Sequence, residues 1–234
     1  MEPNAKLDGR ANSGAFRGSL GLASCTRRGR IGDEDESIRN RIASRGCRTM
    51  NSLKGQLVIA TPQLDTPIFS RSVILMLDHG EDGAMGVILN HPMNVVVTDL
   101  SGRIFDEEFV WDKALCLGGP VTGPLMVLHT IEAMADQQVI PGVYCTMEAT
   151  KVQEIISRKS EPSLVIANYS GWGPDQLESE FETDSWLTLP AQIAHIFREE
   201  DDKELWKAVV SEVNTQKLSE FLGLRELPAD PTMN

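Results

Sequence analysis

Short apolar runs, three to seven residues long and bounded by glycine, proline or polar turn residues, recur along the chain after residue 55. Runs of this length, rich in β-branched and large aliphatic residues, are typical of β-strands. None reaches the length of about eighteen residues that predicts a membrane-spanning helix. The sequence therefore predicts a sheet protein, with strands at 56–60, 72–77, 84–89, 115–117, 125–129, 142–147 and 163–169.

Helical signals lie between and after these strands. Apolar residues recur at helical spacing over 148–159, Pro174 opens a second helix, and a third helix covers 204–213. The runs at 72–77 and 84–89 are joined by six residues that include two glycines, which predicts an antiparallel hairpin. We find no internal repeat.

Charge divides the chain at Met50. Residues 1–49 carry ten basic and six acidic residues, whereas residues 50–234 carry twelve basic and twenty-eight acidic residues. The second part therefore has a formal net charge of −16. Such an acidic body repels nucleic-acid phosphates and anionic lipid headgroups at long range. The sequence therefore disfavours direct nucleic-acid binding and membrane association.

The two ends lack the apolar periodicity of a packed core. Residues 1–49 combine glycine, serine and arginine without such a pattern, which predicts a disordered arm. We expect Met50, just before the first strand, to be the true start of the protein. The domain is then expected at 50–226, followed by a disordered tail at 227–234.

The cysteines and histidines predict no metal or cofactor. The chain has no CxxC pair, and its histidines, at 79, 91, 129 and 195, do not have metal-ligand spacing. The stretch before Cys25 lacks the apolar core of a signal peptide, so we expect a cytoplasmic protein with reduced thiols. Cys116 and Cys145 lie in apolar runs and are interpreted as core residues.

The first candidate site flanks the predicted hairpin. Arg71, His79 and Asn90 lie near strand ends, where a guanidinium and an imidazole can hold a carboxylate or another anion. In the alternative interpretation, which the sequence favours, Arg71 pairs with a structural carboxylate and His79 caps the turn.

Two glycine-rich motifs are further candidates. Gly118-Gly119-Pro120 suits either a ligand-facing turn or a close crossing of strands, and it matches neither nucleotide-binding glycine pattern. His129, which follows the next strand, is interpreted first as a hydrogen-bonded core histidine. Gly171-Trp172 precedes a helix start with Gln176; the favoured interpretation is that Trp172 wedges a turn against the core.

The motifs taken together resemble those of the YqgE/AlgH family, also called UPF0301. The resemblance covers roughly residues 53–210 in order. It depends on Leu57–Pro62, Pro67–Val73, His79, Gly83–Pro92, Leu117–Val121, Leu128-His129, Tyr169–Trp172, Gln176–Glu178 and Trp186-Leu187. One departure is Asn168, since glycine is usual before the motif tyrosine.

The resemblance implies an α+β fold, a largely antiparallel sheet flanked by helices, which agrees with the elements predicted above. Members are cytosolic bacterial proteins, with plant relatives, described as transcriptional regulators from a genetic association with exopolysaccharide control. No catalytic residues are established for the family, so we transfer none.

Three functions follow as hypotheses. The leading one is a non-enzymatic regulator that binds a protein partner or a small ligand, with Gly118, Gly119, Pro120, Gly171 and Gln176 as structural motif residues. Its candidate cleft lies near Arg71, His79, Asn90, His129 and Trp172. The alternatives are a direct DNA-binding transcription factor and a hydrolase-type enzyme that uses His79 or His129 as its base.

Overall fold

The computed structural model describes residues 52–102, 105, 109–198 and 202–222. The predicted arm at 1–49, the expected start at Met50 and the predicted tail at 227–234 lie outside these residues. The strands are β1 (Gln56–Ala60), β2 (Val73–Gly80), β3 (Gly83–Ile88), β4 (Pro92–Val96), β5 (Ala114–Leu117), β6 (Val121–His129), β7 (Gln137–Ile140), β8 (Val143–Thr146), β9 (Ser163–Trp172) and β10 (Trp186–Pro190). The helices are α1 (Ala149–Ser157), α2 (Gln176–Glu182), α3 (Ile193–Ile196) and α4 (Asp202–Leu222), with 3-10 turns at Val97–Leu100 and Glu132–Met134.

All ten strands join in one sheet. Its main order is β10-β1-β2-β3-β9-β6-β8-β7, with β4 attached through β5. Every pairing is antiparallel except that of β5 with β9. The predicted α+β fold with a largely antiparallel sheet is therefore confirmed.

The central strands are buried on both faces, which explains their continuous apolar sequences. In β1, Leu57 and Ile59 belong to the main core cluster, whereas Val58 and Ala60 belong to the layer under α2. The start of α4 covers the main cluster with Leu205, Val209 and Val213, and α1 covers a third cluster on the other half of the sheet.

The hairpin is confirmed, but its predicted loop is wrong. Strand β2 continues to Gly80 and β3 begins at Gly83, so the connection is two residues rather than six. His79 is consequently a strand residue, paired with Ala84. Residues 78–80 are exposed, buried and exposed in turn, which is the alternation of a β-strand. The end of β2 therefore includes them although they are not apolar.

The turn predicted at Gly171-Trp172 is also wrong. Strand β9 runs through Gly171 to Trp172, and its last residues pair with β3. The strand changes neighbour from β5 to β3 between Ala167 and Ser170. Asn168 lies at this change with φ of 66°, a left-handed conformation that asparagine tolerates better than most residues other than glycine. That tolerance explains how asparagine fits where the family usually has glycine.

Candidate functional site

The loop between β1 and β2 presents Arg71 at the surface in an uncommon backbone conformation. Arg71 has φ of 55°, in the left-handed region, and its side chain is exposed. The turn before it is closed by a hydrogen bond from Ser70 N to Thr66 O at 2.9 Å. A non-glycine residue keeps such a conformation only when its surroundings hold it there.

Asn90 holds this conformation from the end of β3. Its Nδ2 donates to Arg71 O at 2.9 Å, and its Oδ1 accepts a hydrogen bond from Val73 N at 2.9 Å. The Asn90 side chain is buried, with 7% of the residue exposed. One amide therefore links the start of β2 to the end of β3 and fixes the position of Arg71.

The Arg71 guanidinium lies beside α4. Its Cζ is 5.8 Å from the centroid of the Trp206 ring, and Trp206 Nε1 donates to Ala60 O at 2.7 Å. Among the residues that the structure describes, no carboxylate pairs with Arg71, so the structural ion pair that the sequence favoured is not found there.

Arg71 and Asn90 share a pocket of about 550 Å³. Burial lowers the pKa of His91 in this pocket, so its imidazole is neutral at pH 7. Helix α4 contributes two charged residues to the lining, and these pair with each other: Lys207 Nζ lies 2.9 Å from Glu204 Oε1. The lining consists of Ser70, Arg71, Asn90, His91, Pro92, Glu204 and Lys207.

His79 occupies a different environment, where β2 meets α2. Its Nε2 lies 2.9 Å from Glu178 Oε1, and its Nδ1 accepts a hydrogen bond from Leu53 N at 3.3 Å. The Nδ1 lone pair is thus occupied, and the remaining proton on Nε2 faces the carboxylate. His79 therefore ties α2 and the chain before β1 to the sheet rather than capping a turn.

Trp172 lies in the same layer as His79. Its Nε1 and that of Trp186 both donate to Glu180 Oε2, at 3.1 and 2.8 Å. Phe69 stacks on Trp172 with ring centroids 6.4 Å apart. Trp172 is thus a buried anchor for α2, in agreement with its role against the core, although it lies in a strand and not in a turn.

His129 is fully buried on the opposite half of the sheet. Its Nδ1 accepts a hydrogen bond from Ile131 N at 3.1 Å, so Nε2 carries the proton and donates to Thr146 Oγ1 at 2.8 Å. Thr146 in turn donates to Met134 O. Both ring nitrogens are engaged, as in His79, so neither histidine presents a free lone pair to a substrate.

The five candidate cleft residues therefore occupy three environments. Arg71 and Asn90 line one pocket, His79 and Trp172 support α2, and His129 is a core residue. The structure thus separates residues that the sequence analysis grouped in one cleft.

The structural motif residues bring strands close together. Gly118 N donates to Ala167 O at 2.8 Å, and the Gly118 carbonyl accepts bonds from Ile88 N and Ser170 Oγ. Gly119, which precedes Pro120, lies against the backbone of β9, and Gly171 lies against the Tyr169 ring.

Gln176, the remaining motif residue, accepts a hydrogen bond from Gly173 N and donates to Glu180 Oε1. These two bonds anchor the start of α2.

Sequence reasoning missed the contribution of α4 to the Arg71 pocket. The spacing of Leu205, Val209 and Val213 predicts a packed helix, but nothing in it indicates that Glu204, Trp206 and Lys207 approach the loop before β2. His91 and Pro92 directly follow Asn90 in one motif, and this adjacency could have indicated that they also line the pocket.

His129 predicts a pH dependence of stability. Burial lowers its pKa, against an opposing effect of Asp136. The unfolded chain therefore binds protons more readily below about pH 6.5, and the free energy of unfolding falls as the pH drops through that value. We expect the melting temperature to fall from pH 7 to pH 5, and less steeply in a His129→Gln variant. The melting temperature of that variant should still fall to some extent, because burial also lowers the pKa of His91. An equal fall in the variant and the wild type would contradict the prediction.

Within the described residues, no cluster of three histidine, cysteine or acidic side chains can hold a metal ion. Cys116 and Cys145 are buried, which confirms the prediction that they are core residues, and burial raises the pKa of Cys145 to about 12. Nowhere in the described part of the chain is a helix long and apolar enough to span a membrane.

Comparison with known proteins assigns the family. The sequence profile described as AlgH-like matches residues 57–217. A UPF0301 protein of Chlamydia caviae is 30% identical, covering 77% of this chain and 95% of its own. A UPF0301 protein of Chlorobaculum tepidum is 35% identical with the same coverage.

The fold is shared with a solved relative. The solution structure of the AlgH protein from Pseudomonas aeruginosa has a TM-score of 0.60 and 24% identity, covering 77% of this chain and 97% of its own. The sequence profile and the curated relatives agree with the motif resemblance, and the chain belongs to the AlgH-like UPF0301 family.

Proposed function

We propose that this protein is a non-enzymatic cytoplasmic regulator that acts on transcription indirectly, by binding a protein partner or a small ligand at the Arg71 pocket. One observation carries the proposal: the buried Asn90 amide holds the Arg71 backbone and the Trp206 ring lies beside its exposed guanidinium, yet no carboxylate among the described residues neutralises that charge. A charge held without a partner is more useful for recognition than for stability, because exposed charges contribute little to folding.

The charge of the chain supports an indirect role. The body carries twenty-eight acidic and twelve basic residues between positions 50 and 234, and such a surface opposes the phosphate contacts on which nucleic-acid affinity depends. The regulatory part of the proposal comes from the family resemblance, and the binding part comes from the pocket.

Affinity capture from a lysate of the native host tests the proposal. The full chain is compared with Arg71→Ala and with Lys217→Ala, which removes an exposed cation from α4 outside the pocket. We expect the wild type and Lys217→Ala to retain the same proteins or small molecules, and Arg71→Ala to lose them without a change in melting temperature. Equal capture by Arg71→Ala would remove the pocket from the function. Tight, specific binding of a DNA probe at physiological salt would instead favour a direct role.

A further inference from the structure

The Arg71 pocket carries one uncompensated positive charge. Glu204 and Lys207 form an ion pair at 2.9 Å and cancel each other, and His91 is neutral at pH 7 because burial lowers its pKa. Arg71 remains, and it is always protonated. The net charge of the lining is therefore about +1 in a chain whose overall charge is −12.

The guanidinium is attracted to a ring but donates no hydrogen bond to a described residue. Its Cζ lies 5.8 Å from the Trp206 centroid, a contact that uses the positive charge and none of the five N–H donors. Trp206 is itself fixed by its bond to Ala60 O at 2.7 Å, so the ring is a rigid support for the guanidinium. The planar fork of arginine matches the two oxygens of a carboxylate.

The pocket is larger than an inorganic ion requires. Its volume of about 550 Å³ lies within the range of small-molecule sites. Pro92 contributes an apolar wall beside the polar and charged side chains of the lining. A ligand that fills this space has a carbon body as well as an anionic group.

We propose that the Arg71 pocket binds a monocarboxylate with an apolar body, in which the carboxylate meets the guanidinium and the body lies against Pro92. A single net positive charge balances a monoanion, whereas a phosphate dianion would keep one excess negative charge, which the acidic chain repels. The carboxylate belongs either to a free organic acid or to a protein chain. This inference rests on the function proposed above.

Calorimetric titration of the full chain with octanoate, octanol and octyl phosphate tests the chemistry. We expect saturable octanoate binding, weaker octanol binding because the charge is missing, and weaker octyl phosphate binding because the charge is doubled. Arg71→Gln should weaken octanoate binding about ten-fold or more, the usual effect of losing a charge-assisted hydrogen bond. Lys217→Gln, a matched removal of one cation elsewhere on α4, should leave it unchanged.

Octanoate binding that is absent, insensitive to Arg71→Gln or weaker than that of octyl phosphate would overturn the inference. These results differ from failure of the proposed function, in which Arg71→Ala captures the same partners as the wild type. The two sources of the carboxylate separate in a competition. Octanoate that binds in the pocket and releases a captured protein indicates a protein-borne carboxylate, and octanoate that binds without releasing one indicates a free acid.

Discussion

Replacing Gly119 with alanine will lower the free energy of unfolding by about 3 kcal/mol, at the upper end of the usual cost of overpacking a core. A Cβ at this position would lie 2.4 Å from Ser170 N and 2.4 Å from the backbone carbon of Tyr169. Both are backbone atoms of β9, so no side-chain rotation relieves the contact. Urea denaturation followed by circular dichroism measures the loss.

Gly80 is the matched control for this substitution. It lies at the exposed end of β2, and a Cβ there would meet no atom within 4 Å. Gly80→Ala should therefore change the free energy of unfolding by less than about 0.5 kcal/mol, the usual range for a surface substitution. Equal stability of the Gly119→Ala and Gly80→Ala variants would show that the close approach of Gly119 to β9 does not constrain the fold.

Replacing Asn90 with alanine should lower the free energy of unfolding by about 2–4 kcal/mol. The variant leaves Val73 N without its acceptor and Arg71 O without its donor, and an unsatisfied buried polar group costs about 1–3 kcal/mol. Because the same amide holds Arg71 in its left-handed conformation, the variant should also lose ligand capture. Thermal and urea unfolding give the first effect, and the affinity capture described above gives the second.

Asn94→Ala is the matched control for Asn90, since Asn94 is exposed on β4, the next strand along the chain. We expect that variant to keep both its stability and its capture of ligand. If Asn90→Ala is as stable as Asn94→Ala, the two hydrogen bonds do not hold the loop, and the fixed position of Arg71 has another cause.

Much of the fold could be predicted from local patterns. Strand β1 is predicted at its observed bounds, and the spacing of Val152, Ile155 and Ile156 predicts α1 because each element buries a face with its own periodicity. Strands β4, β7 and β10 are not predicted. Gln137–Ile140 and Pro92–Val96 are too polar or too exposed to give an apolar run, and they become strands through pairing with β8 and β5.

The candidate site could be predicted only in part. Arg71 and Asn90 belong together in one pocket, and their short separation across a predicted hairpin indicates that they are neighbours. His129 and Trp172 belong to other motifs of the same family pattern. The order of motifs along a chain does not indicate which part of a sheet, or which of its faces, a side chain occupies. Helix α4 adds Glu204 and Lys207 to the pocket because it packs on the sheet beside Arg71. These residues lie more than one hundred positions after Arg71 in the chain, so local patterns do not indicate the contact.

By itself, the sequence determined the class of fold, the family and the acidic character of the body, because apolar periodicity, motif order and net charge are properties of the chain. Only the tertiary structure decided which polar residues are buried as supports for other elements and which remain exposed at a pocket. His79 and Arg71 are both polar residues beside one hairpin, yet Glu178 from a distant helix pairs with the first and no described carboxylate pairs with the second. That difference depends on long-range packing, which brings acceptors to one side chain and leaves the donors of the other open.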